Sequence, residues 1–171
     1  MHYRSQLFLL IILLAVFFTV KLDVPRRIQI ILMNLIYGEE MRNIHALHVV
    51  VDPLMPELER EGLTQAWFLQ NCVAKMEKAG LKNLTEEEWQ QTPGKPTVNI
   101  TVNATKTENE VYQYSIVLDV EKSELQGIAG AYAQKVKTIW SASGMGEGGV
   151  SEIRAKMNEV LELFLKSHAG D

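Results

Sequence analysis

TVNITVNAT, residues 97–105, alternates without a break. Val98, Ile100, Val102 and Ala104 fall on one side of an extended chain. Thr97, Asn99, Thr101, Asn103 and Thr105 fall on the other. A period of two marks a half-buried strand, with one face for a core and a polar face turned outward. VYQYSIVLDV, residues 111–120, repeats the pattern with Tyr112, Tyr114, Ile116, Leu118 and Val120 together. KTENE between the two runs has the length of a hairpin loop. EKSELQG reads as the next connection, and Tyr132 to Ala142 as a further meander strand.

On the N-terminal side, IHALHVVVD (residues 44–52) is a short apolar run stopped by Pro53, which predicts a buried strand. Thr64 is placed to cap a helix over Gln65 to Ala79, with Leu69, Cys72, Val73 and Met76 on one stripe and Gly80 as its left-handed stop. Thr85 and Glu88 form a capping-box pattern for a short helix ended by Pro93, Gly94 and Pro96. At the other end, Ile153, Met157, Val160, Leu161 and Phe164 recur at helical spacing, which predicts an amphipathic helix over the sheet. The order β-α-β-β-β-α implies an α+β two-layer sandwich, with a mostly antiparallel four-stranded sheet and two main helices on one face.

Ahead of this body, LFLLIILLAVFFTV (residues 7–20) is apolar and follows Arg4. As a helix it would reach about 21 Å at about 1.5 Å per residue, short of a hydrocarbon core of about 30 Å. Residues 1–22 are therefore read as a signal peptide or signal-anchor, preceding the fold as a hydrophobic helix. Residues 23–42 are an apolar or amphipathic linker, and residues 43–168 are the α+β domain. Lys21, Arg26 and Arg27 behind the apolar run oppose Arg4 ahead of it, so the positive-inside rule leaves both orientations open. The expected location is the cell envelope, either periplasmic or anchored in the inner membrane facing the periplasm. The membrane is met through the N-terminal segment.

A net charge of −4 over 171 residues gives no basic footprint, so nucleic acid is not an expected partner. The one cysteine, Cys72, can form no intramolecular disulfide and sits on a helical apolar stripe, where it is read as a buried, inert thiol.

SASGMGEGGVSEIR (residues 141–154) contains a G-x-G-x-x-G in Gly144, Gly146 and Gly149. A dinucleotide site needs a second parallel strand after the helix, with an acidic residue about twenty positions on, and the chain stops first. Glu147 would also repel phosphate, so the run is read as a mobile turn or hinge into the last helix. His45 and His48 are three apart and point to opposite faces of a strand, while His48 and Asp52 share a face but lie about 13 Å apart. Neither pair is read as a metal site. Glu57, Glu59, Glu61 and the run Glu86 to Glu88 look like solvated helix starts. Trp67, Trp89 and Trp140 are read as structural side chains sealing core edges. No catalytic, cofactor-binding or metal-binding residue and no cofactor is assigned.

HALHVVVDPLMPELEREGLTQ, LTEEEWQQTPGKPTVNITVNA, YQYSIVLDV and TIWSASGMG, followed by an amphipathic helix, together resemble a group of small exported bacterial proteins of unknown function. The layout is also similar, at the level of fold alone, to the N-terminal α/β module of the TolB family. The resemblance implies export but brings no activity with it. The reading is an uncharacterised envelope protein, leaning away from an enzyme: a non-enzymatic binding or assembly domain whose partner is another protein or itself. The alternative is a small hydrolase or ligand-binding protein with a sheet–helix pocket lined by Trp140, Tyr114 and Asp52. Raised acids beside a deep pocket would favour that alternative.

Overall fold

The computed structural model describes residues 40–128 and 131–170; the expected signal or anchor and most of the linker lie outside the described residues. The sheet is mixed and has five strands in the order β2-β1-β3-β4-β5. They are β1 (Ala46–Val51), β2 (Lys82–Asn83), β3 (Thr97–Lys106), β4 (Tyr112–Ile128) and β5 (Ala131–Gly148). The helices that lie wholly within the described residues are α1 (Pro56–Arg60), α2 (Gln65–Lys78), α3 (Glu86–Gln91) and α4 (Val150–Ala169), and residues 40–42 are helical as well.

The α+β class stands, but the expectation of a four-stranded sheet does not. The fifth strand, β2, is only two residues long and pairs parallel with β1, Ala46 beside Lys82 and Leu47 beside Asn83. β1 also runs parallel to β3, with His48 beside Thr97 and Val51 beside Ile100. Parallel neighbours need a long crossover, and α2 supplies it between β1 and β2. The remaining pairs, β3–β4 and β4–β5, are antiparallel as in a meander.

The alternation of the two central strands is realised in register. Val98, Ile100 and Val102 lie opposite Val120, Leu118 and Ile116, and all six are buried. α2 lies over β1, and α4 over β4 and β5. Thr64 Oγ1 accepts from the Trp67 N–H at 3.2 Å, and Gly80 follows the helix at φ +82°, so α2 begins and ends where its capping residues dictate. Its buried stripe is Phe68, Cys72 and Met76 at i, i+4 and i+8. Leu69, placed on the stripe from sequence, is 39% exposed. Asn71 Nδ2 donates to Asn158 Oδ1 at 3.0 Å and ties α2 to α4 across the layer.

Two connections read from sequence prove to be strand. EKSELQG continues β4, because Thr97, the first residue of β3, pairs with Glu121 and β4 beyond that point keeps only β5 beside it. Of the side chains described there, Glu124, Gln134, Lys135 and Val136 are exposed, so charged residues are no obstacle to extended structure. β5 likewise runs past Ala142 to Gly148. The supposed mobile glycine turn is thus largely edge strand: Gly144 pairs with Ile116, Gly146 with Tyr114 and Gly148 with Tyr112. Only Gly149 lies beyond it, as the residue preceding α4.

The glycines answer to packing. A Cβ at Gly144 would stand 2.7 Å from Lys156 Cδ and 3.0 Å from Val160 Cγ2, because α4 crosses the strand at that point. A Cβ at Gly146 would stand 2.7 Å from the Tyr114 hydroxyl oxygen. Trp140 is buried edge-to-face against Phe164, with ring centroids 5.6 Å apart, as its structural reading requires.

Two predictions follow from the helix contacts and ends. Gly144→Val should destabilise the fold by about 1–3 kcal/mol through overpacking, seen as a lower urea midpoint; an unchanged midpoint would show that α4 does not approach β5 this closely. The second concerns acid. Glu88 completes the capping box, accepting from the Thr85 N–H at 3.0 Å, and pairs with Lys82. The Lys82 hydrogen bond, then that of Thr85, holds its carboxyl below the usual range. A depressed folded pKa gives stability present above the ordinary value near 4.5 and lost as pH falls through the lowered one. Glu88→Gln should therefore reduce the fall in thermal midpoint between neutral pH and pH about 3. An acid limb identical to that of the native chain would contradict this.

Candidate open-face surface

Every polar residue of TVNITVNAT stands on a sheet face that neither α2 nor α4 covers. Opposite them β4 contributes Gln113, Ser115, Val117 and Asp119, and β5 adds Ser141, Ser143, Met145 and Glu147 in the same register. The surface is partly ordered by its own hydrogen bonds. Thr101 Oγ1 donates to Asp52 Oδ2 at 2.6 Å, and Asn99 Nδ2 donates to Glu121 Oε2 at 2.7 Å. These bonds fix carboxylates on the face.

One end of this face is closed by α3. Trp89 reaches over the sheet, its Nε1–H donating to Thr97 Oγ1 at 3.1 Å while its ring meets His48 at 5.4 Å. Thr97 is consequently 7% exposed, although the alternation puts it on the polar side. His48 Nδ1–H donates to the Leu84 carbonyl at 2.9 Å, and Nε2 lies 3.4 Å from a Glu86 carboxylate oxygen. Lys95 sits over the indole at 5.1 Å. Beside Trp89 a groove of about 430 Å³ runs between Val50, Asn99, Glu121 and Val136. A second, more open depression of about 540 Å³ lies at the other end, around Asn103, Gln113, Ser115 and Met145.

The pocket suggested by the hydrolase alternative is not assembled. Trp140 and Tyr114 are buried on the helix-covered face, whereas Asp52 bonds Thr101 on the opposite one. Burial pushes the Tyr114 hydroxyl above its ordinary pKa. His45 and His48 do not converge, and among the described residues no group of three His, Cys, Asp or Glu side chains is placed to hold a metal ion. His168, at the other end of the chain, bonds the Met41 carbonyl through Nδ1 at 3.0 Å. Among the described residues no helix is long and apolar enough to cross a membrane.

At the start of α4 an anion position is already filled from within. Glu152 Oε2 accepts from the Gly149 N–H at 2.9 Å and from Ser151 Oγ at 2.8 Å. Those bonds, with Ser151 first, hold its carboxyl below the usual range. The backbone amide that a phosphate would use is engaged by the protein's own acid.

Val50, Val136 and Met145 were not picked out from sequence, yet they are the exposed large apolar side chains of this face, at 37%, 58% and 76%. A signal existed for Met145. Ser141, Ser143, Met145 and Glu147 alternate with Ala142, Gly144 and Gly146, a period of two that the glycines disguise. No protein-family model, curated protein or solved structure matches the chain.

Cys72 is fully buried, and burial pushes its thiol up to about 12. In the folded protein it should resist a thiol-specific reagent at neutral pH and react fully in denaturant. Rapid stoichiometric modification of the native chain would contradict its place on the buried stripe of α2.

Proposed function

We propose that this chain is a non-enzymatic binding or assembly domain of the cell envelope, one that meets its partner with the open face of its sheet. The supporting observation is the contrast between the two faces. One carries a continuous core of Val, Ile, Leu and Tyr under two helices; the other presents Asn, Thr, Ser and Asp around exposed Val136 and Met145. Exposed apolar side chains within an ordered polar surface suit recognition of a protein better than capture of a small molecule, which calls for a concave, enclosed site. In this reading the apolar run Leu7 to Val20 delivers the domain to the envelope or holds it there, in keeping with the resemblance to small exported bacterial proteins.

Proximity labelling on the full-length chain tests the proposal. Asn103→Arg combined with Asp119→Arg alters two separated positions of the open face and should change stability by no more than about 0.5 kcal/mol each. The double variant should lose labelling of specific neighbours by about tenfold or more, equivalent to about 1.4 kcal/mol of binding. An unchanged set of labelled neighbours would show that the open face is not the binding surface.

A further inference from the structure

Strand β5 has 18 residues and lies at the edge of the sheet, and among the described residues no strand pairs with its outer side. The opposite edge, β2, is two residues long. A short edge offers little to pair with, whereas a long one presents a row of unsatisfied N–H and C=O groups to another chain.

The side chains of β5 indicate which chain. Opposite Val120 and Glu121 the register shifts: Trp140 pairs with Val120 and Thr138 with Glu121, so Ile139 is an inserted residue. Ile139 and Trp140 are consecutive, yet both are buried. The insertion resets the alternation, leaving Val136 on the open face before it and Ser141, Ser143 and Met145 on that face after it. Val136 and Met145, at 58% and 76%, are the most exposed large apolar side chains of the described residues.

We propose that β5 pairs antiparallel with β5 of a second copy of this chain, about a two-fold axis at Ser141, so that the two sheets become one. With Ile139 bulged in both copies, Trp140 falls opposite Ala142, Thr138 opposite Ser143, and Val136 opposite Met145, each pair sharing a face. The contact is isologous, so the apolar Val136–Met145 pair forms twice. No like charges meet: Lys137 and Lys135 fall opposite Gly144 and Gly146, and Gln134 falls opposite Glu147. A foreign strand would have to supply this complement, whereas β5 carries it in its own two halves. The inference rests on the reading of the chain as a binding or assembly domain and names the partner.

Cysteine cross-linking on the full-length chain in detergent micelles is the test, with buried Cys72 left in place. Ser141→Cys should give a disulfide-linked dimer under mild oxidation, because directly opposed residues have Cα atoms about 4.5–5.5 Å apart, within disulfide reach. Val136→Cys and Met145→Cys should each stay unlinked alone, since with Ile139 bulged the like residues of the two copies are eight ladder positions apart, about 26 Å at about 3.3 Å per residue. Mixed, they should cross-link to each other. Met145→Lys should weaken the dimer at least tenfold by light scattering. A Ser141→Cys chain that remains monomeric, or Val136→Cys linking to itself as readily as to Met145→Cys, would overturn the proposal. If the chain is monomeric but its open face still labels a partner, self-pairing fails and the binding reading survives. If both are lost, both fail.

Discussion

The fold depends on the antiparallel register of β3 with β4, in which Ile100 faces Leu118 and Val102 faces Ile116. A slip of one residue would move every apolar side chain of a strand to the other side of the sheet. With the register set, one face must be covered, and α2 and α4 cover it with Phe68, Cys72 and Met76 and with Ile153, Met157, Val160, Leu161 and Phe164. Close approach of α4 then requires a residue without a side chain where it crosses β5, and Gly144 occupies that position. Gly146 meets the corresponding demand of the Tyr114 ring. Two of the three glycines in a pattern that resembles a phosphate loop are thereby accounted for by packing.

Much of this was legible in the residues, and what was not has physical causes. The β3 alternation, the Thr64 and Thr85 caps and the Gly80 stop depend on local chemistry, so they read directly. β2 has two residues and no period to detect. The second half of β4 escaped because strand patterns assume one buried face, whereas beyond Glu121 it has no β3 beside it, and the second half of β5 escaped because its glycines disguise the period of two. Leu69 was placed on the α2 stripe, but the neighbouring Phe68 is the buried residue, a rotation of about 100° that three apolar neighbours in sequence do not resolve. Thr97 belongs to the polar side by alternation but is buried where Trp89, from the short helix just before β3, reaches across it.

The candidate surface was half legible. Its Thr and Asn residues came from the alternation of a single strand, while Val136 and Met145 join them only through the pairing of β4 with β5 and the insertion at Ile139. Trp140, Tyr114 and Asp52 show the opposite case, three residues grouped from sequence that the sheet itself separates. The two-sided character of the sheet sets what the molecule offers outward: a polar face with fixed carboxylates, three exposed apolar side chains, and an edge beside which no strand lies among the described residues.

The measurement closest to the central claim is amide hydrogen exchange resolved by residue along β5. If Gly144 to Gly148 are strand, held against β4 and crossed by α4, the amides there that point towards β4 should exchange with protection comparable to those of Ile116 and Leu118. Uniformly fast exchange from Ser143 to Gly149, as in a mobile loop, would contradict the account, because the glycines would then be a hinge and the edge of the sheet would end before them.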